Sequence, residues 1–117
     1  MAVRIWFAGG MSDETATPEV VHTPDSHRYV LEVGGRMVGF TEYTDRGHQR
    51  VFLHTIIDEA EGGKGYGSIL IAGTLAQVRD AGLRAVAICP FVDAYVKKHH
   101  EFDDIIDPVS IELRASL

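Results

Sequence analysis

Glu61-Gly62-Gly63-Lys64-Gly65-Tyr66-Gly67-Ser68 packs four glycines and a lysine into one short segment. Glycines let a backbone approach a phosphate without interference from Cβ. A helix N-terminus adds unpaired N–H groups at the positive end of its dipole. If a helix opens here, the segment is a cradle for phosphate or pyrophosphate, with Lys64 as a mobile cation. Spacing excludes two familiar phosphate loops. A Walker loop runs from glycine through four residues to Gly-Lys-Ser/Thr, but Gly63-Lys64 is followed by Gly65 and the position five before Gly63 is Asp58. A dinucleotide fingerprint needs a further glycine at Ser68 or Leu70, depending on the starting pair. A plain glycine turn before a helix is the alternative reading.

Three other side chains are candidates for chemistry. Cys89, the single cysteine, ends an apolar run. There a thiol is either a small buried hydrophobe or a nucleophile. His54 sits between Leu53 and Thr55 in strand-like text, as a hydrogen-bonded core group or as a base. Tyr95 reads as a half-buried ring with one hydrogen bond. Glu42 reads as a solvated carboxylate, and His22, His27 and His48 as surface residues. His99, His100, Glu101, Asp103 and Asp104 lack metal-ligand spacing, so no metal is expected.

These groups need elements to hold them. Val20-Val21 starts a short strand that stops at Pro24, and Tyr29 to Val33 is a second. Gly34-Gly35 is a tight hairpin turn, and Arg36 to Tyr43 returns, with Met37, Gly39 and Thr41 opposite Val38, Phe40 and Glu42. Thr44 to Gly47 turns the chain again. Val51 to Ile57 is nearly continuous in apolar and β-branched residues, as a central strand would be. Ser68 to Asp80 is a helix with apolar sets at 71, 75, 78 and 69, 72, 76, capped by Gly82. Arg84 to Cys89 is a strand parallel to the central one. A short helix follows over 91–100, and a last strand falls at Phe102–Ile106 or Val109–Leu113. The order predicts an α+β domain: an antiparallel meander followed by β-α-β-α, with helices packed on a mixed β-sheet.

Composition limits the rest. The 117 residues can bury roughly two-thirds of their unfolded surface, enough for one core. Residues 1–19 read as a flexible N-terminal arm and 20–117 as a single domain. Met11-Ser12-Asp13-Glu14 resembles a second start. One cysteine makes no internal disulfide, and the apolar run Ile5 to Ala8 is short for a signal peptide. No stretch approaches the roughly 20 apolar residues of a membrane span, so the expectation is a cytoplasmic protein without membrane attachment. A net charge of −6 argues against nucleic acid as partner. The charge is uneven: −4 over residues 1–60, +2 over 61–100 and −4 over 101–117.

Gly62-x-x-Gly65-x-Gly67, after an apolar strand and opening a helix, resembles the acyl-CoA pyrophosphate loop of the GCN5-related N-acetyltransferases. His54-Thr55, Gly63-Lys64-Gly65-Tyr66-Gly67, Cys89-Pro90-Phe91 and Tyr95 to Phe102 together are similar to a small single-domain branch of that superfamily. The branch reads H-T-x-V, G-R-G-I-G, C-P-F and Y-I-x-x-H-P-E-Y in this order. The likeness spans Tyr29 to about Ile106. Gly62 replaces a usual Gln or Arg, Asp58 a usual Pro, and His100 the Pro of the last motif.

The resemblance implies acetyl-CoA as cosubstrate and transfer of acetyl to an amine. Backbone groups near Ile56 and Ile57 would bind the pantetheine and polarise the thioester carbonyl. Amides of Gly63, Lys64, Gly65, Tyr66, Gly67 and Ser68 would hold the pyrophosphate. Tyr95 would protonate the departing thiolate. Cys89 would line the cleft or carry the acetyl group, with His54 as its base. A CoA-binding module without turnover is the rival class, and a generic α+β interaction domain the third. The small size leaves little for an acceptor lid, so an oligomer could complete the pocket.

Overall fold

The computed structural model describes residues 17–59 and 65–117. Six strands form one sheet in sequence order: β1 (Glu19–Thr23), β2 (Arg28–Val33), β3 (Arg36–Arg46), β4 (Gln49–Ile57), β5 (Arg84–Ala87) and β6 (Ile106–Asp107). β1 to β4 are antiparallel neighbours, whereas β4–β5 and β5–β6 are parallel. Helix α1 (Tyr66–Asp80) links β4 to β5, α2 (Pro90–Lys98) follows β5, and α3 (Ile111–Ala115) ends the chain. This is the α+β mixed sheet the sequence predicts. Of the predicted arm, residues 1–16 lie outside the described residues, and Glu19 already opens β1.

α1 and α2 cover one face of the sheet. Beneath them Tyr29, Leu31, Val33, Tyr43 and Phe52 meet Leu70, Ile71, Leu75, Val92 and Val96 in the main core. Among the described residues the opposite, outer face is covered only in part. There α3 seals Val51 and Val86 with Leu113. Ser110 caps α3, its hydroxyl accepting from the Leu113 amide.

Several local expectations are corrected. β3 continues through Arg46, so the turn is Gly47-His48, with Gly47 in the left-handed region. Met37 and Gly39 do not share a face in simple alternation. The register shifts so that Glu32 pairs with Met37 and Leu31 with Gly39, and both Val38 and Gly39 become buried. The buried face of α1 is Tyr66, Leu70, Ile71, Thr74, Leu75 and Val78, while Ile69 and Ala76 are exposed. The last strand is Ile106–Asp107, and Val109–Leu113 forms none because α3 begins at Ile111.

His22 is not a simple surface group. Its ring stacks on Tyr29 at 4.4 Å, and its Nε2 lies 2.6 Å from the Tyr43 hydroxyl. Arg50 sits beside this stack, donating twice to Asp45 and once to the Tyr29 hydroxyl, with its guanidinium 4.1 Å from the Tyr43 ring centre. The cluster closes the helix-covered face near the C-terminal end of α1, where Gln77 donates to the Val20 carbonyl.

Candidate functional site

β4 is the element that positions the site, because its two halves have different neighbours. Gln49 to Phe52 pair with Arg84 to Ala87 of β5. Beyond Phe52 the strands part. The last bond between them runs from the Cys89 amide to the Phe52 carbonyl, at 2.9 Å. Pro90 then supplies the first residue of α2, a position where its missing N–H costs nothing. β4 meanwhile continues to Ile57, leaving a wedge between its C-terminal half and the start of α2.

Which backbone groups face that wedge follows from the β3 ladder. The Asp58 amide donates to the Val38 carbonyl, so Gly39–Ile57 and Thr41–Thr55 are non-hydrogen-bonded pairs. The N–H and C=O of Thr55 and Ile57 therefore point away from β3, into the wedge. Those of Ile56 point toward β3, and its side chain is 51% exposed on the outer face. Thr55 is thus a backbone candidate that sequence reasoning missed; only the strand parity, fixed by the register, reveals it.

The end of the wedge is the start of α1. Gly65 is its N-cap in the left-handed region at φ 74°, with open space where a Cβ would stand. The first helical bond runs from the Ile69 amide to the Gly65 carbonyl, so the amides of Gly67 and Ser68 precede it. Gly67 is small for a different reason: a Cβ there would collide with the Phe91 ring of α2. Gly63 and Lys64 lie outside the described residues. Ser68, Phe91, Ala94, Tyr95, Lys98 and His99 line a groove of about 210 Å³ leading away from this point. Lys98 makes no ion pair among the described residues.

Cys89 is 2% exposed, and its Sγ lies 3.4 Å from the Thr55 hydroxyl. Thr55 in turn shares a 2.9 Å hydrogen bond with Thr41. The expected pairing of Cys89 with His54 does not form. Successive strand residues point to opposite faces, so Thr55 takes the helix-covered side and His54 the outer one. There His54 Nε2 lies 3.1 Å from Glu42, which also meets Arg28 at 3.5 Å. Phe40 completes the group, edge-on to His54 and beneath the Arg28 guanidinium. Glu42 is therefore a partnered carboxylate, not a solvated one.

Tyr95 lies six residues after Cys89, about 9 Å along the axis of α2. Its hydroxyl donates to Glu101 at 3.1 Å, and its ring packs on His99 at 4.5 Å. Burial first, and then the Glu101 carboxylate, push the phenol above its ordinary range, so it keeps its proton at neutral pH. His100 pairs with Asp103. Among the described residues no three histidine, cysteine or carboxylate groups converge as a metal site, and no helix is long and apolar enough to cross a membrane.

The fold has a counterpart among solved structures. A GCN5-like protein of Staphylococcus aureus, solved by NMR, superposes with a TM-score of 0.61 at 17% identity, over 80% of this chain and 91% of that one. No curated protein matches. The sequence model described as GCN5-related N-acetyl-transferase matches residues 28–105. From β2 through the turn before β6, then, this chain belongs to the GCN5-related N-acetyltransferase family.

Proposed function

We propose that the protein transfers acetyl from acetyl-CoA to an amine by direct attack, with the thioester held in the β4–β5 wedge. The observation that carries this is the early end of the β4–β5 ladder, which frees the Thr55 and Ile57 backbone groups beside the N-terminus of α1. In this reading the amides of Gly65, Tyr66, Gly67 and Ser68, with Gly63 and Lys64 before them, hold the pyrophosphate. The groove past Phe91 to Lys98 takes the nucleotide end. Ile57 and its neighbours hold the pantetheine and polarise the carbonyl.

The amine nitrogen attacks the thioester carbon, a C–N bond forms and the C–S bond breaks. His54, oriented by Glu42, accepts the proton the amine loses. Tyr95, whose phenol is still protonated, returns a proton to the CoA sulfur. Cys89 lines the cleft. Its hydroxyl neighbour Thr55 is no base at neutral pH, which favours direct attack over a thiol carrier. A cytoplasmic setting, where thiols stay reduced, suits this chemistry.

Acetyl-CoA should raise the melting temperature. At a hundredfold excess over Kd a native-state ligand adds about 2.7 kcal/mol, on the order of 10 °C for a domain of this size. CoA release on addition of amines then measures transfer. No thermal shift at millimolar acetyl-CoA would refute the cosubstrate. A shift without CoA release across a broad amine panel would make the protein a binding module instead.

A further inference from the structure

We infer that the acceptor is a lysine side chain in a cationic, extended polypeptide, laid across the outer face of the sheet; this rests on the acetyl-transfer reading above. α3 covers Val51 and Val86, but toward the wedge nothing among the described residues covers β1 to β4. Met37 is 53% exposed and Ile56 51%, with half-buried Phe40 between them on the same face. Together with the His54–Glu42 pair they make a pleated, partly apolar floor. Small-molecule sites are concave and bury most of the ligand, whereas a flat floor of this kind suits a chain lying across it.

The charge on the face selects the chain. Glu19 and Glu32 stand directly opposite each other in the β1–β2 ladder. Both belong to the outer face, because Val20, Leu31 and Val33 occupy the core side. Like charges in this position repel, and neither carboxylate has a hydrogen-bond or ion-pair partner among the described residues. Glu42, by contrast, is already shared between Arg28 and His54. The uncommitted negative charge therefore lies away from the reacting nitrogen, toward the β1 edge. A compact amine held at His54 does not reach it. A polypeptide does.

The geometry gives a spacing. Neighbouring strands are about 4.8 Å apart, so β2 and β1 lie about 10 and 14 Å from β4. Extended chain covers at most about 3.3–3.6 Å per residue. Across the sheet His54 is in line with Glu42, Arg28 and Thr23, and Glu32 and Glu19 stand four residues, about 13 Å, further along their strands. They are thus about 16 and 19 Å from His54, and a lysine presented there places residues five and six positions away over Glu32 and Glu19. Arginine or lysine at those positions neutralises the repelling pair.

The test uses the full chain, acetyl-CoA and three acceptors: a lysine peptide with arginine five and six residues from the lysine, the same peptide with glutamate there, and spermidine. The inference expects the arginine peptide to have the highest kcat/KM. It also expects the double variant Glu19→Gln with Glu32→Gln to raise the KM of that peptide about five- to tenfold at low salt, with kcat unchanged. The KM of the glutamate peptide should fall instead. A best rate on spermidine, or peptide KM values indifferent to both charge swaps, would overturn the inference and leave acetyl transfer standing. A stable dimer dissociated by Ile56→Asp, with peptide acetylation improved in the monomer, would also overturn it, since the face would then seat a second copy. If acetyl-CoA neither binds nor releases CoA with any acceptor, the transfer reading itself fails and this one with it.

Discussion

Two adjacent residues of β4 face different worlds. Thr55 looks inward, where its hydroxyl joins Thr41 and Cys89 under the helices. His54 looks outward, where it meets Glu42 on a face the helices do not reach. One strand thereby offers a dry side next to the N-terminus of α1 and a wet side that a second molecule can approach. In the proposed reading this is how so small a domain serves two substrates: the phosphate-bearing one from the helix side, the amine from the open side, meeting in the wedge between. It also separates the two groups that motif order alone would pair as nucleophile and base.

The two faces part most sharply at His54. Replacing it with alanine should lower kcat by about 10²–10⁴-fold, the usual value of a positioned base, while acetyl-CoA still gives its thermal shift. An equal loss of cosubstrate binding would put His54 on the wrong side. Gly65→Val should do the reverse. The space is open, but a β-branched residue at φ 74° is strained by about 1–2 kcal/mol, and its side chain stands where a phosphate would approach. The acetyl-CoA shift should vanish, as calorimetry in the presence and absence of ligand will report.

Gly67→Val tests the inner side by packing alone. Its Cβ collides with Phe91, so the apo protein should lose about 1–3 kcal/mol in a urea melt. Unchanged stability would mean that Phe91 moves aside freely. The smallest effect concerns His22, whose imidazole is held below its ordinary value by burial and then by Arg50. Between that lowered value and the unfolded value near 6.5, the unfolded chain binds more protons than the native one. Stability should therefore rise with pH up to about 6.5 and then level off. His22→Gln should flatten the rise below about pH 6.5.

Much of this was legible in residues with strong local codes. Val51 to Ile57 reads as a strand inside the sheet, although only Val51 and Phe52 of it are buried; Gly82 reads as a helix end, and the glycine run as a helix start. The parallel return of Arg84 to Ala87 followed from an intervening helix. What stayed hidden depends on register. The irregularities at Leu31/Glu32 and Glu42/Tyr43 decide which residues share a face, and no propensity encodes them. They bury Val38 beside Gly39 and bring Glu42 opposite His54. Of the two residues expected to offer backbone groups, Ile56 turns its own toward β3 and Ile57 into the wedge, as Thr55 does, again because register sets the parity. His22 read as a surface group because its partners Tyr29, Tyr43 and Arg50 are distant in sequence. Val109 to Leu113 has strand-like residues, but Ser110 is a helix cap and decides the matter.

The most direct test of the division between faces compares Cys89→Ala with His54→Ala in one transfer assay, with intact mass read after acetyl-CoA alone. Direct attack gives no acetyl adduct on the wild-type chain, near-normal kcat for Cys89→Ala, and a loss of at least about a hundredfold for His54→Ala. A one-acetyl mass increase that disappears in Cys89→Ala, with turnover lost in that variant and kept in His54→Ala, would contradict it.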